Sequence, residues 1–458
     1  MNSDLSKTQS FFELYDLRRS DALDGKRAHV VTFGCQQNEA DSERLRGMLA
    51  TMGCSLAERA EDADVILLNT CAIREHAEMK ALSLLGRFKA LRKSNPELII
   101  GVLGCMAAEP RRVDMLKRDF HYVDFTLPPS EIHKLPAVIA EVVQNRKRTF
   151  VPYVSEPRIV EDIPVSRTST FKSWVSVMYG CNNFCTYCIV PYVRGRERSR
   201  DSAAVIKECR ELVAAGTKEI TLLGQNVNSY SSDLTFAELI SEIARIEGDF
   251  IIRFMTSHPK DVSPELIEAI RRYKGKIAPY FHLPLQSGSD KILRSMNRTY
   301  TKEKYLETVR ALRAAVPEIA LSTDVIIGFP EEEDGDFLET LDVLSTVRFD
   351  MVYAFLYSPR NGTRAALMEN RVERSVMDAR MARLIEMQNE ISLECNLPFV
   401  GKRVRVLVES SDEKDGVLVY TGRTPDARLV HFKSCDAELG EFADVLIERA
   451  GISCLYGK

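Results

Sequence analysis

The sequence Tyr179-Gly180-Cys181-Asn182-Asn183-Phe184-Cys185-Thr186-Tyr187-Cys188 contains three cysteines, separated first by three residues and then by two. Thiolates at this spacing on one tight loop can bind a single metal centre. Zinc sites usually present four protein ligands in two separated pairs, but no fourth cysteine or histidine follows closely here. Three thiolates suit a cubane iron–sulfur cluster with one iron left open for a small molecule. Residues 174–179 alternate like a strand, so the loop lies at the carboxyl end of a strand, where α/β enzymes keep their sites.

The composition indicates a large cytoplasmic protein without membrane contact. Its 458 residues suggest about two to four domains, and an apolar share of 45% is normal for globular cores. The formal net charge is −4, so any contact with RNA must use a local patch. Eleven scattered cysteines do not resemble a secreted disulfide framework. Residues 1–25 contain no apolar leader, and the longest apolar run, residues 98–108, is too short to span a bilayer.

Residues 26–142 alternate strand patterns with helix patterns. Strands are expected at residues 28–33, 65–68 and 98–103, and helices at residues 41–52, 75–93 and 109–118, with Asp41 as the first N-cap. This alternation predicts an α/β domain with a parallel sheet. Residues 1–25 are expected to form a loosely docked tail. Residues 143–166, with three prolines and mixed charge, are expected to form a linker.

A second set of three cysteines follows the three predicted strands. Cys35, Cys71 and Cys105 stand 36 and 34 residues apart. The carboxyl ends of neighbouring parallel strands share one edge of a sheet, so folding can bring these thiols together around a second cluster. The alternative is that they are small buried hydrophobic residues, the commonest fate of a free cysteine. We interpret the other cysteines as core residues or free thiols: Cys54, Cys209, Cys395, Cys435 and Cys454.

The central block, residues 167–397, contains six strand patterns in alternation with helices. The strands are expected at residues 174–179, 219–223, 251–255, 280–283, 321–327 and 351–355. Six units are too few to close a barrel of eight, so an open six-stranded barrel is expected, with ligands at the carboxyl ends of its strands.

The last block, residues 398–458, changes character. Residues 402–408 alternate, with Arg403 and Arg405 against valines, and Asp415-Gly416 is a hairpin signal. Several short strands in about 60 residues predict a small β-barrel of the oligonucleotide-binding kind. It carries nine Lys and Arg against ten Asp and Glu, so an RNA contact would need a positioned face. The candidates for that face are Arg403, Arg405, Arg423 and Lys433.

Arginines also occupy every second position after the cysteine loop. They are Arg194, Arg196, Arg198 and Arg200. In an extended segment these side chains share one side, and guanidinium groups bind phosphate in a bidentate way. The segment is therefore a candidate RNA contact, with a solvated charged loop as the alternative.

Several motifs resemble those of the radical S-adenosylmethionine (SAM) methylthiotransferases, and the resemblance covers residues 26–458. Beside the loop of residues 179–188, they are Thr32-Phe33-Gly34-Cys35-Gln36-Gln37-Asn38-Glu39, Asn69-Thr70-Cys71-Ala72-Ile73-Arg74-Glu75, Gly104-Cys105-Met106-Ala107, Leu222-Leu223-Gly224-Gln225-Asn226-Val227-Asn228 and Tyr357-Ser358-Pro359-Arg360. Gly422-Arg423-Thr424 resembles part of the family's terminal TRAM domain. The resemblance implies an N-terminal α/β domain, an open (β/α)6 radical SAM partial barrel and an all-β TRAM barrel.

The resemblance implies SAM and two 4Fe-4S clusters as cofactors. Cys181, Cys185 and Cys188 would hold the cluster that cleaves SAM, and Cys35, Cys71 and Cys105 an auxiliary cluster that carries sulfur. Polar residues after the strands are candidate SAM ligands, with ordinary turn chemistry as the alternative. These candidates are Tyr187, Gln225, Asn226, Ser257, Gln286 and Asp324.

The sequences beside Cys35 and Cys71 resemble the branch that adds a methylthio group to N(6)-dimethylallyladenosine, immediately 3′ of the anticodon in tRNA. In that branch one SAM methylates the cluster sulfur, and a second yields a 5′-deoxyadenosyl radical that abstracts hydrogen from adenine carbon 2. An unpaired loop base can stack on aromatic side chains. Tyr353, Phe355 and Tyr357 are candidates, or else core residues. The implied partners are tRNA and an electron donor such as flavodoxin or ferredoxin, and we expect a monomer.

The sequence departs from the family pattern at three positions. Gln37 stands where a methionine is usual, and Asn361 and Arg364 stand where prolines are usual. These departures spare the cluster cysteines but leave the substrate open. The alternatives are threonylcarbamoyl adenosine in tRNA, or an aspartate of a ribosomal protein. An RNA-binding protein with structural zinc thiolates is the alternative from a different class.

Overall fold

A computed structural model describes residues 8–15, 23–72, 75–414, 417–434 and 436–458. The chain divides into two compact units. Unit 1 comprises Met1–Thr168, Met178–Phe184 and Cys188–Arg200, and unit 2 comprises Ser169–Val177, Cys185–Tyr187 and Asp201–Lys458. Every helix in the described part of the chain is too short or too polar to span a bilayer.

In the first part of unit 1, the described residues form eight strands and five α-helices. The strands are β1 (Thr8–Ser10), β2 (Arg27–Thr32), β3 (Ser55–Leu56), β4 (Val65–Thr70), β5 (Ile99–Gly104), β6 (Phe125–Leu127), β7 (Thr149–Phe150) and β8 (Ile159–Glu161). The helices are α1 (Phe11–Leu14), α2 (Gln36–Thr51), α3 (Glu75–Ser94), α4 (Pro110–Asp119) and α5 (Leu135–Asn145). Strands β3-β2-β4-β5-β6-β7 form one parallel sheet in that order, which confirms the predicted α/β class.

Helices cover both faces of this sheet. Val65 and Leu67 of β4 pack into the core with helices α2 and α5, whereas Ile66 and Leu68 pack into the core with α3 and α4. Alternate residues of a strand point to opposite faces, so a strand covered on both faces reads as a continuous apolar run. β4 and β5 are accordingly buried along their whole length.

Three expectations for unit 1 are changed by the structure. Helix α2 begins at Gln36 with Cys35 as its N-cap, so the expectation that Asp41 caps this helix is wrong. The backbone N–H groups of Asn38 and Glu39 already donate to the Cys35 carbonyl oxygen, so Asp41 lies inside the helix, where its carboxylate forms a buried ion pair with Arg194. Part of the segment expected to be a linker forms the edge strand β7. From the segment expected to be a tail, β1 pairs with β8 and Phe11 is fully buried.

Four short elements surround the cysteine loop. They are β9 (Lys172–Ser176) in unit 2, and β10 (Met178–Tyr179), α6 (Val190–Val193) and β11 (Arg198–Ser199) in unit 1. The single strand expected at residues 174–179 is therefore two strands. The break falls at Val177, whose backbone N–H donates to the carbonyl oxygen of Leu223.

The central part of unit 2 is the expected open barrel. Its remaining strands are β12 (Glu219–Leu223), β13 (Ile251–Phe254), β14 (Tyr280–His282), β15 (Ala320–Ile327) and β16 (Met351–Leu356). Its helices are α7 (Ser202–Ala214), α8 (Phe236–Ala244), α9 (Pro264–Arg272), α10 (Asp290–Ser295), α11 (Lys302–Ala315), α12 (Asp334–Val347) and α13 (Arg374–Asn396). The strands form two parallel triplets, β13-β12-β9 and β14-β15-β16. Between them, the backbone of residues 276–278 hydrogen-bonds to Ile252.

The C-terminal part of unit 2 is a closed five-stranded barrel. Its strands β17 (Arg403–Lys414), β18 (Val417–Arg423), β19 (Leu429–Lys433), β20 (Phe442–Ala450) and β21 (Leu455–Gly457) close in the order β17-β18-β19-β21-β20. Val406 and Val408 point into its core, as the alternation of residues 402–408 predicts. Strand β21 had no sequence signal. The predicted Asp415-Gly416 turn lies outside the described residues, but Lys414 and Val417 on either side are paired.

Candidate metal centres and cofactor site

The strand register of unit 1 brings the first three cysteines to one edge of the sheet. Thr70 of β4 lies opposite Gly104 of β5, so Cys71 and Cys105 are the next residues of two neighbouring strands. Thr32, the last residue of β2, lies opposite Asn69, and Cys35 follows at the start of α2. The topological argument from the sequence therefore agrees with the register.

A hydrogen-bonded network of amides supports this edge. The Nδ2 of Asn38 donates to the carbonyl oxygen of Thr70 at 2.9 Å and to Asn69 Oδ1 at 3.2 Å. The Sγ of Cys35 lies 3.5 Å from Asn38 Oδ1. Gly104 has a φ of +85°, and a Cβ there would lie 2.4 Å from Asn69 Oδ1. Only glycine allows this close approach.

Arg194 adds a buried cation beside these thiols. Its side chain is 4% exposed, and its NH2 nitrogen lies 2.9 Å from Asp41 Oδ2 and 3.3 Å from Asn38 Oδ1. Burial raises the pKa of Cys105 to about 12, although the charge and hydrogen bond of Arg194 oppose this rise, and Cys71 and Cys35 add to it. The three thiols thus share one electrostatic environment, and a cluster that binds Cys105 must displace its proton.

Three thiols are a donor set that fits an iron–sulfur cluster with one open iron. Among the described residues, no group of three Cys, His, Asp or Glu side chains is arranged to hold a single metal ion. In addition, the Arg194 Nε is buried and has no hydrogen-bond partner in the described part of the chain. An N–H in this position suits a sulfur acceptor.

The loop of the second cysteine trio belongs partly to each unit. In unit 1, Cys181 is buried, and its backbone N–H donates to the Gly195 carbonyl oxygen at 3.1 Å. Strand β10 pairs with β11 just before the loop. Gly180 has a φ of +74°, and a Cβ there would lie 2.1 Å from the Arg196 carbonyl oxygen, so this turn requires glycine.

In unit 2, Cys185 is buried and has an arginine beside it. The Arg298 NH1 nitrogen lies 3.6 Å from Cys185 Sγ, and its Nε and NH2 donate to Tyr300 Oη and the Pro284 carbonyl oxygen. Thr186, the next residue, donates its backbone N–H to the Met296 carbonyl oxygen. Sequence reasoning missed Arg298, because no spacing links residue 298 to residue 185.

The six candidate SAM ligands lie in unit 2, with Tyr187 in the cysteine loop, Asp324 within β15 and the other four after β12, β13 and β14. Asn226 and Ser257 follow β12 and β13, and the buried atoms Asn226 Oδ1 and Ser257 Oγ have no partner among the described residues. Gln286 has a φ of +67° and donates its backbone N–H to the Asp324 carbonyl oxygen at 2.8 Å. These features suit a polar ligand.

The remaining three candidates are Asp324, Tyr187 and Gln225. Asp324 lies 3.5 Å from His282 Nε2. The ring centroid of Tyr187 lies 6.5 Å from that of Phe329. Gln225 is partly exposed after β12. The structure therefore keeps all six as candidates for the cofactor.

The arginines after the loop do not share one side. Arg194 is buried against Asp41, and Arg200 is buried against Glu161 at 2.6 Å, so the expectation that these two bind RNA is wrong. The segment is not extended, since Gly195 has a φ of +80°. Arg198 is half-buried and donates to the Pro157 carbonyl oxygen. Arg196 is exposed, 4.4 Å over the ring of Phe184.

The candidate face of the C-terminal barrel is also uneven. Arg403 and Lys433 are exposed. Arg405 is 2.5 Å from Asp249, and Arg423 is 3.5 Å from Glu409. The two paired arginines therefore carry less free charge than the sequence suggests.

Comparisons with known proteins agree with this architecture. The family model described as "Radical SAM superfamily" matches residues 175–344, and the one described as "Uncharacterized protein family UPF0004" matches residues 27–127. The chain is similar to the solved structure of the radical SAM methyltransferase TsrM from Kitasatospora setae, with a TM-score of 0.55 and 12% identity, covering 75% of this chain and 74% of that one. The likeness shows the fold, and the fold with its cysteine loop defines a radical SAM enzyme.

Curated relatives give the narrower family. The tRNA-2-methylthio-N(6)-dimethylallyladenosine synthase of Thermoanaerobacter pseudethanolicus is 49% identical over 434 residues, 94% of this chain and 92% of that protein. The synthase of the same name from Acetivibrio thermocellus is 45% identical over 462 residues, 99% of this chain and 96% of that protein. The chain belongs to the family of tRNA-2-methylthio-N(6)-dimethylallyladenosine synthases.

Proposed function

We propose that this chain adds a methylthio group to carbon 2 of N(6)-dimethylallyladenosine, next to the anticodon of tRNA. The observation that carries this proposal is a second cysteine trio in a chain that already contains a radical SAM loop. Cys35, Cys71 and Cys105 follow three strands of one sheet and share the amide network of Asn38. A single SAM-cleaving cluster needs no such second set. The curated relatives act on this nucleoside according to their names.

The two trios are given different roles. Cys181, Cys185 and Cys188 would hold the cluster that supplies an electron for SAM cleavage, and Cys35, Cys71 and Cys105 would hold the cluster that supplies sulfur. The chain's own part is to bury and orient these ligands. In unit 2, Arg298 donates to Cys185 Sγ, and a hydrogen bond to a ligating thiolate tunes the cluster. Asn226 and Ser257 offer unpartnered buried oxygens to a polar cofactor.

The last strand of the open barrel offers a place for the adenine. Tyr353 and Phe355 of β16 are 39% and 41% exposed, although both are large apolar residues. Tyr353 lies opposite Asp324 in the parallel pair of β15 and β16. Phe355 is two residues further along β16, so the side chains of Tyr353 and Phe355 are on the same face of the sheet as Asp324, a candidate SAM ligand. Tyr357 packs against Phe329 instead. An exposed aromatic pair at this position suits stacking with an unpaired base.

The partners follow from the same proposal. Arg196, Arg403 and Lys433 are the exposed cations among the RNA candidates, and they would contact the tRNA backbone, which positions the tRNA without reading its sequence. The enzyme would take electrons from a donor such as flavodoxin or ferredoxin. It would act as a monomer in the cytoplasm.

Nucleoside mass spectrometry tests the proposal. We expect tRNA from cells that lack this protein to accumulate N(6)-dimethylallyladenosine without its methylthio group, and the reconstituted protein to add that group anaerobically with SAM and a reductant. Prenylated and threonylcarbamoylated tRNA should be offered in parallel. Equal turnover of both, or turnover of neither by an iron-loaded preparation, would refute the proposed substrate.

A further inference from the structure

In the segment of unit 1 that follows the cysteine loop, the side chain of Arg194 points into the protein. Helix α6 packs against the turn at Cys105, since Ile189 and Val193 share an apolar cluster with Cys105. Arg194 is the C-cap of this helix, so its side chain enters the region of the auxiliary cysteines. The spacing of the arginines predicts a phosphate contact for Arg194, but its side chain is 4% exposed and pairs with Asp41.

Neighbouring side chains fix the position of this guanidinium. Its NH2 nitrogen lies 2.9 Å from Asp41 Oδ2 and 3.3 Å from Asn38 Oδ1. The Sγ of Cys35 lies 3.5 Å from the same Asn38 oxygen. Arg194 and Cys35 therefore meet at one acceptor, and the burial of Asp41 and Asn38 in α2 holds the arrangement.

The Nε–H of the guanidinium lacks an acceptor in the part of the chain that the structure describes. The Nε of Arg194 is buried and lacks a partner among the described residues. A buried N–H without an acceptor costs free energy. This N–H is therefore expected to donate to an atom of a bound group. Asp41 is also shared, because Arg44 approaches its carboxylate at 3.7 Å.

We propose that Arg194 is a positioning residue of the auxiliary cluster, whose Nε–H donates to a sulfur of the cluster bound by Cys35, Cys71 and Cys105. The inference rests on the proposed function and deepens it. Its charge favours the reduced, more negative state of that cluster, as hydrogen bonds and local charge set the potential of iron–sulfur centres. Arginine suits the role better than lysine, because its planar fork can donate to Asp41 and to a sulfur at once.

The test uses the full-length chain with Cys181, Cys185 and Cys188 each replaced by Ala, so that any remaining cluster is the auxiliary one. Iron content and a redox titration followed by electron paramagnetic resonance give its occupancy and midpoint potential. Arg194→Gln should shift this potential to a more negative value. Arg194→Lys, which keeps the charge but loses the forked donors, should give a smaller shift in the same direction.

Arg200→Gln is the matched control. Arg200 belongs to the same segment, its side chain is 7% exposed, and it forms a bidentate ion pair with Glu161, whereas the carboxylate partner of Arg194 is Asp41. Its replacement removes an equally buried cation. The potential of the auxiliary cluster should stay at the parent value in this variant.

Each outcome decides between stated alternatives. Equal potentials in the parent, Arg194→Lys and Arg194→Gln would overturn the inference. In that case the Nε–H of Arg194 would donate to water in a cavity of about 50 Å³, which Arg194 lines together with Ser130 and Arg198. If Arg194→Gln does not fold, judged by circular dichroism, Arg194→Lys alone decides in the same way. A parent that binds no iron would refute the auxiliary cluster itself, which separates failure of the proposed function from failure of the role of Arg194.

Discussion

Arg253 Nε lies 2.6 Å from Glu219 Oε2, and the other two nitrogens of the same guanidinium donate to the carbonyl oxygens of Pro425 and Thr424. Glu219 begins β12 of the open barrel, and Thr424 follows β18 of the C-terminal barrel. One buried arginine in unit 2 therefore joins the two barrels. Burial raises the pKa of Glu219, but Arg253 and Lys172 outweigh it and hold that pKa below its ordinary value.

Replacement of Arg253 by Met should loosen the C-terminal barrel. Breaking a buried ion pair costs about 3–5 kcal/mol, and we expect the lower end because Lys172 still lies 3.2 Å from Glu219. Hydrogen exchange should accelerate in residues 417–434. The control is Arg245→Ala, since Arg245 and its partner Glu242 are exposed and exposed pairs contribute less than about 1 kcal/mol. Equal exchange in the two variants would contradict the role of Arg253.

The two cysteine trios should assemble independently. Cys71→Ala should lose the auxiliary cluster but still cleave SAM to 5′-deoxyadenosine, whereas Cys185→Ala should lose SAM cleavage. Iron content should fall by about half in each variant, because both clusters have the same nuclearity. Neither variant should methylthiolate tRNA. Cys54→Ala is the control, since Cys54 packs in the apolar core with Leu49 and Val65. If Cys71→Ala keeps its full iron content and still methylthiolates tRNA, Cys71 is a buried core residue and not a cluster ligand.

Arg196 should carry the salt dependence of tRNA binding in its segment. Arg196→Ala should reduce the slope of log K against log salt by roughly one unit for the lost phosphate contact. Arg196 is exposed, unlike its buried neighbours Arg194 and Arg200. Arg271→Ala, which removes an equally exposed arginine paired with Glu268, should leave the slope unchanged. If both variants keep the parent slope, the segment is a solvated loop.

The sequence was sufficient wherever one local pattern determines the outcome. The run of β4 and its neighbours predicts a parallel sheet, and the positions of Cys71 and Cys105 after two such strands predict their common edge. The valine alternation in β17 predicts the core of the C-terminal barrel. In each case the prediction depends on a local pattern, either the alternation of side chains along a strand or the position of a residue directly after a strand.

Long-range polar contacts could not be predicted in the same way. The pair of Asp41 and Arg194 joins residues 153 positions apart, whereas the sequence predicts an N-cap for Asp41 and an RNA contact for Arg194. Their pairing buries one of the RNA candidates. Arg298 lies 113 positions from Cys185. Which distant residues form such hydrogen bonds and ion pairs depends on the tertiary path of the loops near the sheet edge. A local sequence pattern does not contain that path.

His258 should make unit 2 sensitive to acid. Its side chain is buried after β13, where Nδ1 accepts from the Lys260 backbone N–H at 3.2 Å. Burial, aided by Arg298 and Lys260, lowers the pKa of His258 from 6.5 to about 2. Below pH 6.5 the unfolded chain binds a proton that the folded chain does not, so stability falls as pH decreases and is constant above that value.

The expected loss from His258 is about 2 kcal/mol at pH 5, since one pKa unit corresponds to about 1.4 kcal/mol. His258→Asn keeps an acceptor for the Lys260 N–H but cannot titrate, so the difference in stability between pH 7 and pH 5 should shrink by that amount. Local hydrogen exchange of residues 251–262 measures it without assuming that the whole chain unfolds in one step. His121→Asn, at an exposed histidine of unit 1, should leave the difference unchanged. An undiminished difference in His258→Asn would mean that His258 is protonated in the folded protein, and its buried position beside Arg298 would then need another counterion.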